Sequence, residues 1–156
     1  MKLAVNPDER WTFPALGRSL GLSPSEARYS LLRAAHAELV SERTRTAIRP
    51  NLREFLLHGA RYAFPADRGR RSRGMPTSTS ASPLVEHFSE PAEPVVWKFA
   101  QGNARGESIA PIYSSVPTAA GQDARLYALL VLLDGVRLGG ARVRSVAMDL
   151  LARELA

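Results

Sequence analysis

Between residues 43 and 73 nine arginines (43, 45, 49, 53, 61, 68, 70, 71 and 73) face only Glu54 and Asp67 as acids. Guanidinium groups at that density suit phosphate, because each presents a rigid fork of N–H donors and keeps its charge at every physiological pH. A second constellation lies upstream, where Ser25, Arg28, Tyr29 and Arg33 fall within nine residues. On a helix these four share one face, which is polar, cationic and aromatic. A helix entering the major groove needs that face: short polar groups near its start, then Arg and Tyr further along, meeting base edges and backbone oxygens. Ser23, just ahead, is placed to meet a phosphate together with the helix N-terminus.

Other chemistries are poorly supplied. With no cysteine, the chain has no disulfides, cysteine-zinc sites, iron–sulfur clusters or thiol catalysis. His36, His58 and His87 are too widely spaced for a His-x-x-x-His pair, so no metal site is expected. Glu86/His87 and Glu90/Glu93 lie in a Pro-rich stretch where solvent keeps carboxyl groups ordinary. No phosphate-binding loop, nucleophile elbow or dinucleotide fingerprint occurs. Neither an enzyme nor a cofactor is expected. Trp97, Phe99 and Tyr113 read as core of the second half, with base stacking or the lining of an effector pocket as the alternatives.

The elements that must position the basic face are legible from Phe13 to Val40. A first helix, Pro14 to Leu20, turns Leu16 and Leu20 inward and places Gly17 where a second helix approaches closely. Gly21 supplies the left-handed conformation that ends it, and Leu22 buries between the helices. Ser23-Pro24-Ser25-Glu26 is a helix start with an N-cap serine, proline at the first position and a glutamate completing a capping box. The second helix then buries Ala27, Leu31, Ala34 and Ala35. Gly21-Leu22-Ser23-Pro24-Ser25, with Leu31 and the closing Leu39-Val40, resembles the helix-turn-helix of bacterial winged-helix regulators of the MarR-like kind, over residues 13–40. Many of these have a larger apolar residue at Ala27, an apolar residue at Ala34, a polar one at Leu32 and a glycine at Glu38. The resemblance implies a wing between Leu39 and Arg49. Thr44, Thr46 and Ile48 allow a short strand, but no Asn-Gly or Asp-Gly closes it. A short or absent wing is expected, with Arg43 and Arg45 reaching phosphates from it.

The remaining chain changes character. Residues 1–76 hold 14 basic against 7 acidic residues, residues 77–156 hold 7 against 8, and the whole is +6. One half faces a polyanion and the other does something else. Pro50 starts an amphipathic helix, Asn51 to Tyr62, whose Leu52, Phe55, Leu56 and Ala60 pack onto the helix-turn-helix. Residues 65–122 are rich in Pro, Gly and Ser. They predict an Arg/Gly loop from Asp67 to Pro76 carrying Arg68, Arg70, Arg71 and Arg73, then a hairpin of Val95–Phe99 with Ser108–Tyr113. Leu126, Leu129, Leu130, Leu133 and Val136, then Val143, Val146, Ala147, Leu150 and Leu151, mark two helices broken at Gly139-Gly140. The first stripe is either core or a dimer seam. The longest apolar run, Leu126–Leu133, is far shorter than the roughly 20 residues that span a bilayer, and the first residues lack a signal-peptide pattern. A cytoplasmic protein is expected.

These readings predict a mainly α (α+β) chain with a helix-turn-helix region at 1–64 and an accessory region at 65–156. The expected function is a sequence-specific double-stranded DNA-binding transcriptional regulator, most simply a repressor. It would act as a homodimer, because two recognition helices on twofold half-sites add their contacts. The accessory region would dimerise, sense a small ligand or hold an effector protein. The alternative is a protein–protein adaptor or antitoxin-like subunit that restrains an effector protein. A third reading is a single-strand or RNA binder using Trp97 and Phe99.

Overall fold

Thr12 and Ser23 start the two helices that carry the basic face, each by accepting a backbone N–H with its hydroxyl oxygen. The structure is a computed structural model that describes residues 1–89 and 93–156. A single turn, α1 (Lys2–Val5), leads to α2 (Phe13–Leu20), which stops at Gly21 with φ 65°. Gly17 lets the turn fold back, since a β-carbon there would lie 2.7 Å from the Leu22 carbonyl oxygen. In α3 (Pro24–His36) the expected capping box is complete: Glu26 N–H donates to the Ser23 hydroxyl at 3.2 Å and Ser23 N–H donates to the Glu26 carboxylate at 2.8 Å. The helix ends in a Schellman motif, with Leu39 N–H on the Ala34 carbonyl and Glu38 N–H on that of Ala35. That motif holds Glu38 at φ 55°.

A two-pair antiparallel hairpin follows, β1 (Val40–Ser41) with β2 (Thr46–Ala47). Four residues close it without Asn-Gly, because Arg45 takes the left-handed conformation at φ 55° and donates its N–H to the Ser41 carbonyl. Next, α4 (Arg49–Glu54) runs through a π-helical turn at Phe55–Gly59 into α5 (Ala60–Ala63). Leu52, Leu56 and Ala60 are buried here as the pattern predicts, but they join the large core formed by the C-terminal helices rather than the α2–α3 pair. Continuing contact of α5 with α7 and of the π turn with α8 draws this helix away.

The Arg/Gly segment is a strand, not a loop: β3 (Arg68–Pro76) is the longest strand of the chain. It pairs antiparallel with both β4 (Val95–Lys98) and β5 (Ala104–Ile109), and those two pair with each other in parallel, so the three strands close on themselves. The expected hairpin is therefore replaced by two strands that share β3 as partner. The second of them lies earlier than Ser108–Tyr113 and stops before Pro111, which has no N–H for a ladder. Glycine is needed rather than tolerated in this sheet. A β-carbon at Gly74 would lie 2.0 Å from the Trp97 carbonyl oxygen, and one at Gly106 would lie 1.9 Å from that of Pro94.

After α6 (Val116–Gln122), α7 (Ala124–Leu138) and α8 (Ala141–Glu154) fulfil the predicted C-terminal pair. Every residue from Leu129 to Val136 is buried, so α7 is the central helix of the core, and the leucine stripe is core and not a seam. Within it Asp134 accepts from Thr77 Oγ1 at 2.8 Å, Trp97 Nε1 at 2.7 Å and Arg137 at 2.5 Å. Burial pushes this carboxyl above its usual range, while the charge of Arg137 and the three donors pull it back. Arg137 also donates to the carbonyls of Phe64, Pro65 and Ala110. One buried pair thus joins α5, the sheet and α7. The chain is a mixed α+β protein, and among the described residues no helix is long and apolar enough to cross a membrane. Of the Glu90/Glu93 pair, Glu90 lies outside the described residues.

Candidate nucleic-acid interface

Ala27 and Leu31 face inward on α3, and the opposite side carries Ser25, Arg28, Tyr29 and Arg33, all exposed. Tyr29 is 62% exposed, a large aromatic that the fold leaves in water. Arg33 donates to the Ser30 hydroxyl at 3.0 Å, which orients it along the helix. Arg28 has no carboxylate within ion-pair distance among the described residues. Ser23 is exposed, but its oxygen and its backbone N–H are both committed to the capping box. What it can still offer a phosphate is the hydroxyl proton. Hydrogen bonds from the Ser23 side chain and then its backbone hold the Glu26 carboxyl below the usual range, against slight burial and with help from Tyr113. The acid of the first turn of α3 is thereby tied to its own helix start.

The other predicted residues divide. Arg43 is exposed in the β1–β2 turn, whereas Arg45 is half-buried, donates to the Trp11 carbonyl at 2.7 Å and lies 4.5 Å from the Phe13 ring centre. On β3, Arg68 is paired with Glu107 and Arg71 with Glu93 at 3.2 Å. Those two arginines are partly neutralised. Arg70 and Arg73 are exposed without a carboxylate partner among the described residues, and Arg73 sits directly opposite Arg105 across the β3–β5 ladder. Like charges in that position repel, so an anion above the pair would relieve the strand.

Two arginines escaped the sequence reading. Arg105 falls in a stretch that reads as a turn, and its partner becomes visible only with the register of β3. Arg10 stands in the irregular lead-in to α2, where no periodicity assigns it a face; its signal is adjacency to Trp11, an aromatic next to a cation. Trp97, by contrast, is 1% exposed with its N–H on Asp134 and its ring 5.9 Å from that of Tyr127. It cannot stack on a base. Tyr113 is exposed beside the α3 N-terminus and borders a cavity of about 240 Å³ with Leu20, Leu22, Val116 and Leu126. That cavity lies where the C-terminal half meets the α2–α3 turn. His36, His58 and His87 are exposed and apart, and no group of metal-binding side chains forms among the described residues. Comparison with protein-family models, with curated proteins and with solved structures finds no match to this chain.

Proposed function

We propose that this protein is a sequence-specific double-stranded DNA-binding regulator, in its simplest form a cytoplasmic repressor, with α2–α3 as its helix-turn-helix and β1–β2 as a short wing. The observation that carries this reading is the α3 face. Arg28, Tyr29, Arg33 and Ser25 are together, in water, on a helix whose other side is anchored in core, and among the described residues no acid pairs with Arg28. Arg28 and Tyr29 read or position the major groove, Arg43 adds charge, and Arg45 holds the wing to the lead-in of α2. Arg70, Arg73 and Arg105 supply a second basic patch. Homodimerisation doubles the half-sites read, and its surface lies outside the buried α7 stripe. The apolar cavity under the α2–α3 turn offers a small ligand a place from which to move α3.

Selection of bound duplexes from a random pool, followed by salt-dependent titration, tests this. Arg28→Ala should cost about 1–3 kcal/mol on the selected site while random duplex is bound almost as before. An Arg70/Arg73 double alanine variant should weaken all duplexes alike and lower the salt slope by about two. Failure to bind any duplex at low salt would remove the regulator reading and leave the adaptor.

A further inference from the structure

Between the lead-in to α2 and the β1–β2 turn lies an open cleft of about 410 Å³, lined by Arg10, Trp11, Arg43, Thr44 and Arg45. Three guanidinium groups and a hydroxyl border it, and no carboxylate does. Asp8, Glu9 and Glu42 are neighbours in sequence, yet none forms an ion pair with these arginines. Three cations around one opening repel each other and are stabilised by an anion between them. Arg45 is already fixed: its backbone is left-handed at φ 55°, one N–H donates to the Trp11 carbonyl, and its guanidinium stacks on Phe13. The rotamer entropy of that side chain is therefore lost before any ligand arrives. Its other N–H groups have no protein acceptor among the described residues. Arg10 and Arg43 are exposed and free to close from the two rims. Trp11, 6% exposed, also lines the cleft, and its indole N–H has no hydrogen-bond partner among the described residues.

We propose that this cleft binds a phosphate group, with Arg45 as the fixed donor and Arg10 and Arg43 as the closing pair. A planar fork flanked by two mobile ones matches the several oxygens of a phosphate better than the two of a carboxylate. The opening accepts a phosphate that belongs to something larger, either the backbone of a nucleic acid or a small phosphorylated molecule. The site does not require α3 to read bases.

The test uses the full chain labelled with nitrogen-15, its two indole N–H resonances assigned through the backbone, and three probes: inorganic phosphate, a short duplex, and chloride at matched ionic strength. Phosphate should move the Trp11 indole and the amides of Arg43 and Thr44, while the Trp97 indole stays still. An Arg10→Gln/Arg43→Gln variant, both side chains being exposed and in no ion pair among the described residues, should weaken this binding about tenfold and lower the salt slope for duplex by up to two. If duplex shifts the same resonances at far lower concentration than inorganic phosphate, the source is a nucleic-acid backbone; the reverse order identifies a small phosphorylated ligand. Equal shifts with chloride, no shift with either probe, or an unchanged double variant would overturn the proposal. The two readings fail separately. Phosphate shifts without duplex binding would sink the regulator alone, and loss of discrimination in Arg28→Ala with silent Trp11 would sink the cleft alone.

Discussion

A left-handed backbone costs a non-glycine residue about 1–2 kcal/mol, and Glu38 carries that cost at the end of α3 with φ 55°. Glycine adopts that conformation without the cost, so the side chain at this position has a conformational price. Glu38→Gly is expected to stabilise the protein by about 0.5–1 kcal/mol, part of the relief being lost to the freer unfolded chain; thermal denaturation at fixed pH checks it. Asp134 is the opposite case, where the native residue is hard to replace. Asp134→Asn leaves Arg137, whose side chain is 1% exposed, without its charge partner. A loss of about 3 kcal/mol is expected in denaturant titration. The Asp134 cluster cannot be read from its own neighbourhood in sequence, because Thr77 and Trp97 come to it from distant segments. The arginines show the same limit: composition marks 68, 70, 71 and 73 as equals, but the fold brings Glu107 to Arg68 and Glu93 to Arg71 and, among the described residues, no carboxylate to Arg70 or Arg73.

Helix starts and stops are local chemistry, and the bounds of α2 and the start of α3 were legible to within a residue because Gly21, Ser23, Pro24 and Glu26 act on backbone groups only a few positions away. Gly17 belongs to the same grammar. With the Leu22 backbone carbonyl oxygen 2.7 Å from where a β-carbon would stand, Gly17→Ala must push α3 off α2. A destabilisation of about 1–3 kcal/mol is expected by thermal melting, along with weaker duplex binding. The sheet was illegible for a physical reason. Its strands meet through residues 12 to 41 positions apart, and the glycines that permit the close approach of β3, β4 and β5 are the same residues that signal loops. The β1–β2 hairpin was expected to be short or absent for want of a turn dipeptide. A left-handed arginine closes it instead.

At the scale of the whole chain there are two apolar clusters. A small one around Trp11, Leu16, Ala27, Leu31 and Val40 carries the basic face, and a large one is built on α7. Packing of the large cluster runs back through Ala60 and Leu52, past the compositional boundary at residue 64. Polar ties join the clusters. Lys2 donates to Asp123 at 2.6 Å while its ammonium lies 5.1 Å from the Trp11 ring centre, and Arg49 donates to the carbonyls of Ala4 and Glu154. Burial alone would raise the Asp123 carboxyl, but hydrogen bonds from Lys2, the Leu126 amide and Asn6, with the Lys2 charge, hold it at about 2 instead of 3.8. A depressed carboxylate stabilises the fold above its unfolded value, and that contribution disappears as pH falls from about 4 to 2. Asp123→Asn, which keeps the cap of α7, should cost about 1 kcal/mol at neutral pH and flatten the stability curve across that acid window. An unchanged acid limb would show that the tie carries no charge-dependent stability.

Closure of β3, β4 and β5 leaves one stretch open. Each strand exchanges backbone hydrogen bonds with two others, but β3 has both partners only at Gly74, and from Arg68 to Arg73 it pairs with β5 alone. The exposed arginines of that stretch set like charges against those of a second copy, which guards the open side of β3 against edge-to-edge pairing.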